Sequence, residues 1–199
     1  MNLLESIHGR YVHARRVRVL AEKLAPLIPR GASVLDIGCG DGRIDELILS
    51  HRPDLRIKGL ETRPRAKASI PVEAFDGRRI PLADKSVDVA MLIDVLHHAE
   101  DPQALLREAS RVCGAIVIKD HFRQGLLAEA TLRFMDRIGN RRHEVPLPHH
   151  YWTPQQWERA FADVELRPVV LEKSLGLYPW PASMFFERSL HFIARLERQ

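Results

Sequence analysis

The sequence contains very little cysteine, and this shortage excludes one class of fold. Cys39 and Cys113 are the only two cysteines among 199 residues, so a framework of several disulfides is excluded. Long apolar runs are missing too, since nowhere do the roughly 18 consecutive apolar residues of a membrane-spanning helix occur. The first residues also lack the apolar core and small-residue cleavage site of a signal peptide. We therefore expect a soluble, cytoplasmic protein with no membrane span.

Internal repeats, low-complexity tracts and Gly/Ser-rich linkers are absent as well. A chain of 199 residues with 45% hydrophobic residues is long enough for one packed core and short for two. We therefore expect a single domain over residues 1–199. The net charge of +4 is compatible with an anionic partner but does not require one.

Helix and strand patterns alternate along the chain. Apolar residues at helical spacing predict helices over 13–28 and 41–53, and Asp101 with Pro102 predicts the start of another as N-cap and first helical residue. Apolar runs that predict five strands are "ASVLDIG", "LRIKGLE", "PVEAF", "SVDVAMLI" and "GAIVIKD". Strands separated by helices in this way predict a parallel sheet with helices on both faces.

The run "VLDIGCGDGR", residues 34–43, carries three glycines directly after the first predicted strand. Ligands of open parallel sheets bind beyond the carboxyl ends of the strands, where glycine lets the backbone approach them closely. The dinucleotide fingerprint G-x-G-x-x-G would place its third glycine at position 43, whereas this chain has Gly42 and then Arg43. The run therefore fits a pyrophosphate poorly.

The same run resembles the first motif of class I S-adenosylmethionine-dependent methyltransferases, in particular the small-molecule, type 11-like members. Further stretches over about residues 31–120 follow in the order of that family. The resemblance implies that Asp36 organises the methionyl amine, Glu61 binds the ribose diol, Asp76 with Gly77 binds adenine, and Asp94 lies near the methionine end. The implied S-adenosylmethionine-binding residues are Asp36, Gly38, Cys39, Gly40, Glu61, Thr62, Asp76, Gly77, Asp94 and Val95.

The resemblance also implies a fold, namely a Rossmann-like three-layer α/β sandwich. Its sheet has seven mostly parallel strands with an antiparallel last strand, and the runs "VELRPVVLE" and "SLHFIARL" supply the sixth and seventh. Before them, Thr153 and Gln156 form the pattern of a helix capping box. Residues 1–30 are expected to form an N-terminal helical cap, and residues 122–153 a lid-like insert.

Three segments around this core admit more than one interpretation. Tyr151 and Trp152 either wall a substrate pocket or fill the space under a long loop. The loop with Tyr178, Trp180 and Phe185 is apolar enough for a pocket rim, a lipid-like substrate or a dimer contact. The third segment is the N-terminal helix, where three arginines either reach a carboxylate or form a solvated face: Arg10, Arg15 and Arg16.

Methyl transfer from a sulfonium needs mainly a well-oriented acceptor, because the methyl group is already activated. A hydroxyl or protonated amine acceptor also needs a base, and the candidate catalytic residues are His97, His98 and His121, although histidines here can equally serve only packing. Catechol-type enzymes of the family hold magnesium with an acid and an Asp-Asn pair. His121 replaces that Asn here, and magnesium prefers oxygen ligands, so we expect no metal.

The leading hypothesis is methyl transfer to the oxygen, nitrogen or carbon of a small molecule by in-line displacement, in a monomer or homodimer that binds no nucleic acid. An RNA methyltransferase is an alternative, prompted by Arg63, Arg65, Lys67, Arg78, Arg79, Arg141 and Arg142. The Asn/Asp-Pro-Pro-aromatic motif of exocyclic-amine methylases is absent, however, since the chain has "DVLH" at the fourth strand. A third hypothesis is a nicotinamide-dependent reductase or a catalytically silent cofactor-binding module.

Overall fold

A computed structural model describes residues 3–139 and 150–198, with side chains from residue 11 onward apart from that of residue 139. Seven strands form one sheet in the order β3-β2-β1-β4-β5-β7-β6. Their bounds are β1 Ser33–Ile37, β2 Arg56–Glu61, β3 Val72–Ala74, β4 Val87–Ile93, β5 Cys113–His121, β6 Leu166–Glu172 and β7 His191–Arg198. Only β7 runs antiparallel to its neighbours, so the expected mostly parallel sheet with an antiparallel last strand is confirmed.

The described helices connect and cover these strands. Their bounds are α1 Leu3–Leu24, α2 Arg43–His51, α3 Pro102–Val112, α4 Ala128–Gly139, α5 Pro154–Ala162 and the short α6 Ser183–Phe186. Among the described helices, none combines the length and apolarity that crossing a bilayer takes.

The first helix differs from its prediction at both ends. It was expected over residues 13–28, but α1 begins at Leu3 and ends at Leu24, before a 3₁₀ turn over Ala25–Leu27. Leu3, Leu4 and Ile7 have helical spacing too, and no proline interrupts the chain before Pro26, so the helix extends further toward the N-terminus than was predicted. At the other end Pro26 cannot donate the hydrogen bond of a helix interior, so the chain tightens into the 3₁₀ turn.

Side chains of the central strands alternate between two apolar layers. In β1, Leu35 packs into the layer under α3 and α5, whereas Val34 packs into the layer under α1 and α2. In β5, Ile118 packs into the layer under α3 and α5, and Val117 packs into the layer under α1 and α2. This period of two, with helices over both faces, produces the three-layer sandwich.

The predicted helix caps also form. The side chain of Asp101 accepts from the N–H of Ala104 at the start of α3, and Thr153 with Gln156 forms the complete capping box of α5. These caps set where each helix leaves the sheet, and so they help to fix the loops beside the strand ends.

Candidate active site

The glycine-rich run forms a tight turn directly after β1. The N–H of Gly38 donates to the carbonyl of Leu60 at 2.7 Å, and Gly38 has φ +74°. A Cβ at Gly38 would lie 2.6 Å from Val95 Cγ2, so a side chain there would clash. Gly40 has φ +62°, and a Cβ there would have only the Arg65 guanidinium within 4 Å. The turn therefore needs glycine for its backbone, and at Gly40 it leaves an open side.

Glu61 joins this turn to the end of β2. One oxygen of its carboxylate accepts from the N–H of Gly40 at 3.0 Å, and the other accepts from the N–H of Thr62 at 2.8 Å. The Thr62 hydroxyl also lies 3.3 Å from that second oxygen. Because each carboxylate oxygen has two lone pairs, Glu61 can hold the turn and still accept from a diol.

Asp76 lies beside a cavity at the end of β3. Its carboxylate accepts from the N–H groups of Arg78 and Arg79, each at 2.8 Å, and these bonds lower the pKa of Asp76. Gly77 follows with φ +77°. The cavity has a volume of about 450 Å³, and its lining residues are Ala74, Phe75, Asp76, Arg79, Ile80, Pro81 and Leu82. A cavity that combines apolar side chains with the ionised acceptor Asp76 suits a flat heterocycle that carries an amino group.

Two of the predicted cofactor residues face the protein interior. A Cβ at Gly59 would lie 2.3 Å from Cys39 Sγ, so the Cys39 side chain packs against β2 and only its backbone lies in the turn. Asp36 is buried with its side chain against that of Asp45 in the first turn of α2. Burial raises the pKa of Asp36, and it raises the pKa of Asp45 to about 7, so one carboxyl of the pair holds a proton at neutral pH.

Asp94 follows β4 and pairs with two cations. Arg16 of α1 and Lys119 of β5 each form an ion pair with its carboxylate. Burial by itself would raise the pKa of Asp94, but the charges of Lys119 and Arg16 together lower it. Arg16 thus pairs with a carboxylate of the chain itself, and a contact of this helix with the cofactor stays a prediction. Arg15 instead donates to the carbonyl of Gly176, and the Arg10 side chain lies outside the described residues.

His97 is buried between two carboxylates. Its Nδ1 lies 2.7 Å from an oxygen of Asp120, and its Nε2 lies 3.7 Å from an oxygen of Asp136, to which the Tyr151 hydroxyl donates. Burial would lower the pKa of His97, but Asp120 and Asp136 outweigh it and raise the pKa to about 10. His97 is therefore protonated at neutral pH and suits a charged, positioning role better than that of a base.

Three other histidines are uncharged, unlike His97: His98, His121 and the neighbouring His191. Burial and then the charge of His97 lower the pKa of His98 to about 4. Burial and then the charge of Lys119 lower the pKa values of His121 and His191 well below the ordinary value. The imidazole rings of these three residues are therefore neutral at pH 7.

His121 is also placed to keep one ring nitrogen unprotonated. Its Nδ1 lies 3.3 Å from an oxygen of Asp120, and its backbone N–H donates to the same carboxylate at 2.8 Å. Since a carboxylate can only accept, Nδ1 carries the proton, and Nε2 keeps its lone pair.

The two predicted aromatic residues of the insert pack inward. Tyr151 is buried, and its ring stacks on that of His97 with centroids 5.7 Å apart. Trp152 makes an edge contact with Trp157, whose indole N–H donates to the carbonyl of His121. Tyr151 therefore borders the histidine cluster, whereas Trp152 packs against the core beside α5.

Four residues of this region were missed in the sequence: Asp45, Lys119, Asp136 and His191. Lys119 could have been predicted as a site residue, because a single lysine inside the apolar run "AIVIKD" is buried with the strand and needs a charged partner there. Asp136 and His191 reach the cluster only through the tertiary packing of α4 and β7, and no local pattern marks them.

Among the residues that the structure describes, two groups have ligand atoms within 4.8 Å of one another: Asp94 with His97 and His121, and His97 with His98 and Asp136. In the first group Asp94 already has two cationic partners, and His97 belongs to both groups while bonded to Asp120. The absence of a metal stays a prediction.

The sequence of this chain is similar to those of several methyltransferases. Residues 35–115 match a family model described as "Methyltransferase domain". Ribosomal RNA large subunit methyltransferase F of Pectobacterium carotovorum is 36% identical over 110 residues, which are 52% of this chain and 35% of that protein. Trans-aconitate 2-methyltransferase of Methylobacterium nodulans is 31% identical over 135 residues, which are 62% of this chain and 50% of that protein.

Among solved structures, an S-adenosylmethionine-dependent methyltransferase from Thermotoga maritima superposes with a TM-score of 0.71 at 17% identity, covering 99% of this chain and 96% of the other. The class I methyltransferase fold that the resemblance implied is thereby confirmed. The family match and the neighbours imply S-adenosylmethionine as the cofactor. This chain spans about a quarter to a half of the length of the curated relatives it matches.

The described residues fit that cofactor. The turn at Gly40 is open on one side, Glu61 can accept from a ribose diol, and the cavity beside Asp76 offers apolar side chains with a carboxylate for adenine. These groups follow β1, β2 and β3, three adjacent strands of the sheet. The roles of the individual residues stay predictions.

Proposed function

We propose that this chain transfers a methyl group from S-adenosylmethionine to a small-molecule acceptor bound beyond the ends of β4 and β5. The proposal rests on the position of the candidate cofactor site next to the histidine cluster. The glycine turn with Glu61, which fits a nucleoside, lies against Val95, and the preceding residue, Asp94, lies beside His121. His121 Nδ1 is 3.7 Å from a carboxylate oxygen of Asp94.

The bound cofactor supplies a methyl group on a positively charged sulfur. The chain itself supplies acceptors for the sugar and the base, Glu61 and Asp76, and a partly buried carboxylate at Asp94 whose charge Arg16 and Lys119 balance. Because these groups are held by backbone bonds and ion pairs, they need little rearrangement when ligands bind.

A hydroxyl or ammonium acceptor must also lose a proton. We assign that proton to His121 Nε2, because Asp120 holds the opposite nitrogen protonated and then stabilises the imidazolium that forms. His98 is a second neutral candidate, and burial lowers the pKa of both histidines, so the choice of His121 rests on its contact with Asp120. His97, already charged, positions Asp120 through their 2.7 Å contact.

An RNA acceptor is the second candidate, favoured by the 36% identity to a ribosomal RNA methyltransferase. Of the cations that prompted it, Arg65 pairs with Asp41 and Arg78 pairs with Glu100, so part of their charge is balanced within the chain. Arg141 and Arg142 lie outside the described residues.

The test uses the full chain and radiolabelled S-adenosylmethionine against two sets of acceptors, a panel of small hydroxyl, amine and carboxylate compounds and large-subunit ribosomal RNA. We expect label in a small molecule, with His121→Gln keeping cofactor affinity while its turnover falls by about 10² or more. Label only in RNA would replace the small-molecule proposal. Full turnover by His121→Gln would overturn the assignment of the base.

A further inference from the structure

An apolar ridge lies on α4 and on the loop around α6. Large apolar side chains are exposed there to an unusual degree, with Leu126 at 86% and Trp180 at 79%. The members of the ridge, exposed at between 52% and 86%, are Leu126, Leu127, Phe134, Ile138, Trp180, Met184 and Phe185. Contiguous apolar surface of this kind marks an interaction site.

Direct contacts join the two segments of the ridge. On α4, Phe134 and Ile138 lie four positions apart on one face, and the exposed Leu127 directly precedes the helix. The Phe134 ring stacks with the Phe186 ring at 6.3 Å, and Arg188 Nη2 donates to the Thr131 hydroxyl at 2.7 Å. The exposed side chains of α4 and α6 therefore belong to one surface.

The packing of the fold does not account for this surface. Helix α4 already uses another face for its own core contacts, where Ala128 and Leu132 pack with Tyr151 and Leu190. A helix with a second apolar face exposed to water has more apolar surface than its fold can bury. The ridge therefore needs an occupant from outside the described residues.

The charged residues around the ridge indicate what kind of partner binds it. The exposed cations on the same segments are Arg123, Arg133, Arg137 and Arg188. Glu129 pairs with Arg133 at 2.9 Å and with Arg123 at 3.6 Å, so part of this charge is balanced, but the cations stay in excess. Glu187 is half-buried and accepts from the N–H groups of Leu177 and Tyr178, so it turns toward the protein. If a second copy of the chain packed on this ridge about a twofold axis, the same arginines of the two copies would meet and repel one another. An anionic lipid surface meets both the arginines and the apolar side chains favourably.

The ridge is also continuous with the candidate active site. The Phe186 ring lies 5.5 Å from the Tyr178 ring, Tyr178 lies 5.8 Å from His191, and His191 lies 4.9 Å from His121. A chain of ring contacts thus runs from the exposed surface to the proposed base.

We propose that this ridge docks the protein onto an anionic lipid surface, with the apolar side chains entering the interface and the arginines contacting headgroups. The end of β5 and the start of β7, where His121 and His191 lie side by side, are connected to this face by the ring contacts above. This last step rests on the proposed methyl transfer: the acceptor of the methyl group is then a lipid-soluble molecule.

The experiment is co-sedimentation of the full chain, without cofactor, with vesicles of phosphatidylcholine alone and with vesicles of equal parts phosphatidylcholine and phosphatidylglycerol. The probing variants are Trp180→Ser with Phe185→Ser, and separately Arg137→Glu. The matched control is Val169→Ser, an exposed apolar residue on the edge strand β6. Thermal melts confirm that each variant folds.

We expect binding to the phosphatidylglycerol vesicles that weakens with salt, falls at least about tenfold in the Trp180/Phe185 variant, and is unchanged in the Val169 variant. Arg137→Glu should weaken binding only to the anionic vesicles. Absent binding, or binding that the ridge variants leave unchanged, overturns the proposal. A concentration-dependent dimer abolished by the same variants also overturns it and makes a second copy the occupant. Because no cofactor is added, failure here leaves the proposed methyl transfer standing.

Discussion

The Nδ1 atom of His97 lies 2.7 Å from a carboxylate oxygen of Asp120, and both side chains are 1% exposed. A second carboxylate, Asp136, approaches the other ring nitrogen at 3.7 Å. Two carboxylates around one imidazole keep it protonated, even though burial opposes the charge. The pair therefore links the stability of the fold to pH and places a fixed positive charge beside the proposed base.

The first prediction concerns pH and stability. The pKa of His97 is about 10 in the folded protein and 6.5 ordinarily, so its contribution to stability is complete below about pH 6.5 and is lost as pH rises toward 10. We expect the free energy of unfolding to decline over this interval more steeply in the wild type than in His97→Gln. Urea denaturation at several pH values measures it, with the exposed His51→Gln as control. Parallel wild-type and His97→Gln profiles would contradict the charged state.

The second prediction concerns the buried ion pair of Lys119 and Asp94. Lys119 is fully buried and pairs with Asp94, so Lys119→Met leaves Asp94 with Arg16 alone. We expect Lys119→Met to cost about 3 kcal/mol of unfolding free energy. Adding Asp94→Asn should recover part of that loss, because it removes the uncompensated carboxylate. Costs that simply add in this double-mutant cycle would show that the two side chains do not interact.

The third prediction concerns the glycine turn. Gly31→Ala meets no atom within 4 Å at φ +69°, so it reports only backbone strain, about 1 kcal/mol. Gly38→Ala has a similar φ but places its Cβ 2.6 Å from Val95 Cγ2, so we expect a larger loss of stability and weaker binding of S-adenosylhomocysteine. Val95→Ala in the Gly38→Ala background should restore part of both. Equal effects of the two glycine variants would refute the proposed close contact.

The fourth prediction concerns Glu61. Glu61→Ala removes the acceptor proposed for the ribose diol and the bond to Gly40, and we expect it to weaken S-adenosylhomocysteine binding by about 1 to 3 kcal/mol. Glu73→Ala, an exposed glutamate on the neighbouring β3, is the control and should bind normally. Calorimetric titration gives both dissociation constants. Unchanged affinity in Glu61→Ala would remove Glu61 from the cofactor site.

Much of the fold was predictable because the signals were local. Continuous apolar runs marked the buried strands, and Asp101 and Thr153 marked helix starts through bonds to residues three positions away. The start of α1 was missed although Leu3, Leu4 and Ile7 have helical spacing, because the run from residue 13 alone was counted as the helix.

The candidate site was only partly predictable, because its electrostatics depend on distant pairs. Arg16 and Asp94 are 78 residues apart, and His97 and Asp120 are 23 apart. Sequence identified His97 as a candidate base but not the two carboxylates that keep it charged. Asp45 has the pattern of a solvated helix residue, and only the packing of α2 on β1 places it against Asp36.

The most direct measurement is isothermal titration of the full chain with S-adenosylhomocysteine and, separately, with NADH. The account predicts saturable one-to-one binding of S-adenosylhomocysteine, weakened in Glu61→Ala and in Asp76→Ala, and no binding of NADH. Binding of NADH together with no heat from S-adenosylmethionine or S-adenosylhomocysteine would contradict it.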